Sequence, residues 1–148
     1  GQVVIAGHKE AVARAVEAAK AAGARRAVEL PVSVPSHCDL MRPAAEKLAE
    51  ELKNIPVTAP AIPVLHNVSV SAESDPDMIR KRLVEQLYSP VRWVETIRAM
   101  KQEGIGHIVE AGPGKVLTGL MRRIDRDLDA SALFDPRGIA QLTETLNG

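Results

Sequence analysis

Short runs of β-branched and small apolar residues alternate with stretches of helical apolar periodicity along nearly the whole chain. In residues 1–7, Val3, Val4, Ile5 and Ala6 lie between Gly1 and Gly7, which predicts a buried strand. Residues 9–22 carry Val12, Ala15, Val16 and Ala19 on one face and stop at Gly23, which predicts an amphipathic helix. Residues 26–34 alternate Ala27, Leu30, Val32 and Val34 with polar neighbours, interrupted by Pro31, as in an edge strand. The opening is therefore β-α-β, half of a small split unit.

Beyond Pro35, Ser36 and His37 the alternation resumes. Residues 40–55 form a helix whose stripe is Leu40, Met41, Ala44, Ala45, Leu48, Leu52 and Ile55. Residues 62–70 read as a strand. Asp75 as N-cap and Pro76 at the first helical position open a helix through Leu87, and Ser89 and Pro90 end it. Residues 91–103 follow as a helix, 107–111 as a short buried strand, 115–127 as a helix, 130–134 as a strand and 136–146 as a helix. Alternating strands and helices give an α/β class with a mainly parallel sheet. About five strands is few for a doubly wound domain, and the first unit is incomplete. With Gly1 already inside a strand, the chain is expected to be part of a larger fold.

Composition narrows the function. Lys and Arg total 19 and Asp and Glu total 19, so net charge is zero, against a dedicated nucleic-acid or anionic-membrane binder. Aromatics are 2% of residues, which leaves no base-stacking platform. The single cysteine, Cys38, forms no internal disulfide, so a reducing cytoplasm is expected. No apolar run reaches the length of a membrane span.

His37 stands where a strand ends and a helix begins, the place where α/β sheets bind ligands. Two readings stand there: a general base, since imidazole titrates near neutrality, or a histidine bonded to backbone at a helix start. Cys38 is adjacent, but neighbouring side chains diverge at such a junction, and a small buried thiol is the plainer reading. Gly112, Pro113, Gly114 and Lys115 follow a strand and open a helix, the position of an anion cradle. Phosphate-loop spacing fails, because Val109 and Val116 replace the required Gly and Ser or Thr, and Leu117 breaks the dinucleotide pattern. A structural turn is favoured there. His8, His66 and His107 lack metal spacing. Asp75 and Asp77 lack the rest of a calcium loop and read as caps. Arg122, Arg123 and Arg126 make a basic helix face, and Tyr88 and Trp93 read as packing residues. No serine lies in a Gly-x-Ser-x-Gly elbow.

The segments Pro35-Ser36-His37-Cys38-Asp39-Leu40-Met41, Gln86-Leu87-Tyr88-Ser89-Pro90-Val91 and Glu110-Ala111-Gly112-Pro113-Gly114-Lys115-Val116-Leu117, with residues 1–7 and 31–37, resemble malonyl-CoA:acyl carrier protein transacylases in the family's order. The resemblance implies the carboxy-terminal part of an α/β-hydrolase-like large domain over residues 35–148. Residues 1–34 would be the second, β-α-β half of a ferredoxin-like small subdomain. It implies ping-pong transfer of malonyl from coenzyme A to acyl carrier protein in fatty-acid synthesis. The substrates are malonyl-CoA and the phosphopantetheinylated carrier, with no cofactor, no metal, no nucleic acid and no membrane. His37 matches the family's base, and a backbone carbonyl at Gln86 would orient it in place of the usual acid. The elbow serine, the malonyl-pairing arginine and the oxyanion-hole glutamine belong to the family's amino-terminal half and are missing here, so the chain alone is expected to be inactive. The competing readings are a non-catalytic anion- or CoA-binding module, and a small hydrolase using Cys38.

Overall fold

The computed structural model describes residues 2–147, with side chains through Glu144. Gly1, placed above in the first strand, lies outside the described residues. The chain gathers into two compact units, Gln2–Arg92 and Trp93–Gly148.

In the first unit, helix α1 spans Lys9–Ala21, and Gly23 ends it with φ 87°, a left-handed conformation glycine adopts without strain. Val12, Ala15, Val16 and Ala19 are its half-buried residues, the stripe expected from their spacing. The flanking segments 2–6 and 26–34 do not form the expected strands. They have no regular secondary structure and, apart from half-buried Ala27, are exposed, with Val3 85% and Val32 72% accessible. A strand exists only as part of a hydrogen-bonded ladder. In a split β-α-β unit the two strands are separated by a third, and no described residue supplies it. Around Pro31 the backbone closes short bonds instead, Val32 N–H to Leu30 O at 2.8 Å and Ser36 N–H to Val34 O at 2.9 Å.

A 3-10 turn, Asp39–Met41, leads into α2, Arg42–Lys53, which has Pro43 in its first turn. Helix α3 is Pro76–Tyr88, and the Asp75 carboxylate accepts from the N–H groups of Asp77 and Met78, both at 2.9 Å, as a side-chain N-cap. The two helices pack together, burying Ala45 and Leu52 of α2. Arg80 locks them, with Nε donating to Leu52 O and Nη2 to Ile55 O, both at 3.0 Å. Leu52 lies in the last turn of α2, where carbonyls lack a regular i+4 helical donor, and Ile55 lies just beyond the helix. Arg82 bridges Glu73 and Glu85. The single strand expected over 62–70 is instead a small antiparallel hairpin, β1 Leu65–His66 with β2 Ser71–Ala72. Its turn holds Val70 at φ 58°, which a β-branched residue rarely adopts, so composition gave no turn signal.

In the second unit, α4 is Trp93–Gln102, β3 His107–Ala111, α5 Val116–Ile124, β4 Asp129–Leu133 and α6 Pro136–Asn147. Strands β3 and β4 pair in parallel, His107 opposite Asp129 through Ala111 opposite Leu133. Ile97, Met121, Leu128 and Ala130 form the core, with Trp93, Met100, Ile108 and Ile124 against it. Full burial of a side chain like Ile97 contributes about 1.5–3 kcal/mol. Helix α5 stops three residues before the expected Asp127. Asp125 turns extended, and its carboxylate accepts from Asp127 N–H at 2.9 Å, which favours a turn over another helical residue. Arg126 thus lies beyond the helix that carries Arg122 and Arg123.

Candidate functional site

Pro35 fixes φ just before the junction, and His37 then takes the left-handed conformation, φ 64°. Such a backbone at a non-glycine residue persists where surrounding bonds over-determine it. Two bonds do so here. His37 N–H donates to Leu87 O at 2.9 Å, and its Nδ1 lies 2.8 Å from Gln86 O. Both acceptors lie in the last turn of α3, whose carbonyls have no helical donors left.

A carbonyl only accepts, so Nδ1 carries the hydrogen and the lone pair of the neutral ring is on Nε2. Among the described residues Nε2 has no hydrogen-bond partner, and His37 is exposed. His37 is bonded to backbone, as the plainer sequence reading held. Its partner, however, is a helix 49 residues away, and the bond leaves the other nitrogen open to a donor. The structure brings His37 and Gln86 together, and the contact uses the Gln86 main chain. Leu87 went unnoticed in the sequence because it also acts through its carbonyl.

Cys38 donates its thiol to Pro35 O at 3.2 Å, a structural bond that involves no base. The turn at Gly112–Lys115 is filled from within. The Glu110 carboxylate accepts from Leu117 N–H at 3.1 Å and from the N–H and hydroxyl of Thr118, both at 2.7 Å. The Thr118 amide is the main cause holding the Glu110 carboxyl below the ordinary glutamate range, against the opposing effect of desolvation. Lys115 stacks on Phe134, 4.3 Å from the ring centre. The amino terminus of α5 and the turn's cation both have internal partners, which disfavours the anion-binding reading.

Arg122 donates to Ala130 O at 3.0 Å, and Arg122 and Arg126 line an open cleft of about 390 Å³ with Asp127, Leu128 and Asp129. His107 contacts Asp129 through Nδ1 at 2.7 Å and Ser131 through Nε2 at 3.0 Å. Only the β3–β4 register revealed this Ser-His-Asp row. His107 and Asp129 begin their strands, opposite the carboxyl ends where parallel sheets gather ligands, so the row reads as a pin between strands. Asp75 caps α3 as expected, whereas Asp77 does not cap but pairs with Arg80 one turn on. Among the described residues no cluster could hold a metal. Trp93 packs on the second unit's core, and the Tyr88 ring lies under the Arg42 guanidinium, 4.3 Å from its centre.

Residues 1–132 match the acyl transferase domain family. The chain is 58% identical over 144 residues to the malonyl CoA-acyl carrier protein transacylase of Escherichia coli (strain K12), covering 97% of this chain and 47% of that protein. The Bacillus subtilis (strain 168) protein of the same name is 44% identical over 146 residues, covering 99% of this chain and 46% of its own length. Among solved structures, one of a type II PKS acyl-carrier protein in complex with its malonyl-transacylase matches with TM-score 0.92 and 51% identity, over 94% of this chain and 45% of that one. The malonyl CoA-acyl carrier protein transacylase of Coxiella burnetii matches with TM-score 0.92 and 44% identity, over 96% and 45%. The chain spans about half the length of the curated relatives it matches. These matches agree with an α/β fold of transacylase type.

Proposed function

This chain belongs to the acyl transferase domain family, and from that membership we propose that it carries the general base of a malonyl-CoA:acyl carrier protein transacylase. The observation that carries the reading is the 2.8 Å bond from His37 Nδ1 to the Gln86 carbonyl, which holds one tautomer and leaves Nε2 able to accept a proton.

A serine hydroxyl, poor as a nucleophile by itself, is supplied by protein outside this chain. Nε2 takes its proton as the oxygen attacks the malonyl thioester carbon. The carbon–sulfur bond breaks, and the imidazolium returns the proton to the departing coenzyme A thiolate. In the second half His37 takes the proton of the carrier's phosphopantetheine thiol, the sulfur attacks the acyl-serine carbonyl carbon, the carbon–oxygen bond to serine breaks, and the imidazolium returns the proton to the departing serine oxygen. The positive charge on the ring in each half is offset by the Gln86 carbonyl and the end of α3. No buried acid is needed.

Residues 1–34 belong in this reading to the second half of a ferredoxin-like subdomain and residues 35–148 to the large domain. The exposed β-branched segments on either side of α1 support it, because they have the composition of strands that await a neighbour. The single cysteine fits a reducing, cytoplasmic compartment, and among the described residues no helix is long and apolar enough to cross a membrane. The carrier protein docks near Arg122, Arg123 and Arg126, and charge reversal at exposed Arg123 is expected to raise the carrier KM and weaken its salt dependence.

The decisive test joins this chain to the amino-terminal portion of the E. coli relative. His37→Ala is expected to slow acylation by about 10²–10⁴-fold, the usual contribution of a general base, and a loss under about tenfold ends the assignment. The 148-residue chain alone is expected to show no malonyl transfer, since it lacks the nucleophile.

A further inference from the structure

We propose that Arg42 and Tyr88 are positioning residues that hold the α3 carbonyls against His37, an inference that rests on His37 being the base. The strained His37 backbone is fixed by bonds to Gln86 and Leu87. Those residues sit in the last turn of α3, which ends where Ser89 becomes extended, and terminal turns fray. Something must keep that turn in register with the junction.

Upstream, Arg80 ties α3 to the end of α2 and Arg82 ties it to Glu73. Both lie at least one full turn before the carbonyls that matter. Tyr88, the next residue after them, is the first side chain placed to act. Its ring lies 4.3 Å under the Arg42 guanidinium. Arg42 in turn bonds Asp39, with Nε at 2.9 Å and Nη2 at 2.8 Å from Oδ1. Between His37 and Arg42 the chain closes its own short turn, Met41 N–H to Cys38 O at 2.9 Å. Segments 37–42 and 86–88 are thus joined twice, by main-chain bonds at one end and by a cation over a ring at the other.

The phenol oxygen has no part in this clamp, while the ring and the guanidinium do. Asp39 and Arg42 are solvent-exposed, so their ion pair alone contributes little, and the ring contact sets the expected size.

The test uses the full-length enzyme made by joining this chain to the amino-terminal portion of the E. coli relative. Arg42→Ala and Tyr88→Leu are each expected to lower kcat for acylation by about three- to fivefold with KM for malonyl-CoA nearly unchanged. Tyr88→Phe keeps the parent rate. The double variant is no slower than either single one, because both remove one contact. In a His37→Ala background Arg42→Ala has no further effect. By nuclear magnetic resonance, exchange of the His37 Nδ1 hydrogen with water is faster in Arg42→Ala than in Tyr88→Phe. Unchanged kcat and exchange in Arg42→Ala, losses that multiply in the double variant, or a loss that persists without His37 overturns the proposal. If His37→Ala itself keeps activity, the base assignment falls and the clamp is judged by hydrogen exchange alone.

Discussion

The Gln86 contact gives an unusual expectation: a residue at the centre of the mechanism whose side chain is dispensable. Its carbonyl oxygen lies 2.8 Å from His37 Nδ1. When the ring is protonated the bond is charge-assisted, and such bonds contribute about 1.5–3 kcal/mol. Removing it is then equivalent to about 10- to 150-fold in rate. Gln86→Ala deletes the side chain, keeps the carbonyl, and places the best helix former in α3. Its single-turnover acylation rate in the joined full-length enzyme is expected to stay within about twofold of the parent. Replacing Leu87 by its α-hydroxy acid does the converse. It turns the Gln86–Leu87 amide into an ester, weakens that carbonyl as an acceptor and removes no side chain, so acylation slows several-fold. A loss beyond about tenfold in Gln86→Ala refutes the reasoning, because the side chain would then make the contact that matters.

Other outcomes follow from the second unit. The folded Glu110 and Asp125 carboxyls lie below their ordinary values, held chiefly by the Thr118 amide and by Lys101 respectively, so their contribution is full above the unfolded value and lost as pH falls through the folded one. Thermal unfolding is expected to drop in midpoint below about pH 4.3. Glu110→Gln should lower the midpoint at neutral pH and flatten that acid dependence, and an acid profile equal to the parent's refutes it. Ile97 is 0% exposed, so Ile97→Ala is expected to cost about 2–5 kcal/mol in urea unfolding, and a cost near zero would mean the core is elsewhere. Gly138→Ala in an open helix would gain about 1 kcal/mol. Here a Cβ would run into the Ala132 carbonyl of β4, so a loss of about 1–3 kcal/mol is expected, and a gain in midpoint contradicts the α6–β4 packing.

Local signals were legible where one residue's chemistry decides them. Asp75 and Pro76 announced the start of α3, Gly23 the end of α1, and the stripe of α1 its half-buried face. Of the stripe expected over 40–55, Met41, Ala45, Leu48 and Leu52 are at least half-buried, while Ala44 is exposed, as are Leu40 and Ile55, because the helix runs only Arg42–Lys53 and leaves those two outside it. Residues 2–6 and 26–34 had strand composition but form no strand, because pairing belongs to a neighbour and not to the segment. Residues 62–70 do not form one strand, because a turn rests on Val70 at a positive φ, which β-branched composition argues against. The end of α5 shifted because the Asp125 side chain bonds the backbone locally. At the site, residue type marked His37 and a family resemblance marked Gln86. The left-handed backbone, the Leu87 carbonyl and the Arg42–Tyr88 contact left no trace in residue pattern.

By itself the sequence determined which stretches become helices, which residues have the right acid–base chemistry, and that the alternation is of α/β type, since these depend on periodicity and side-chain chemistry along the chain. Only the tertiary structure decided which nitrogen of His37 is free, that Glu110 rather than an external anion fills the start of α5, and which carbonyls meet the ring. Those depend on main-chain atoms distant in sequence, and a backbone carbonyl is the same in every residue until folding gives it a neighbour.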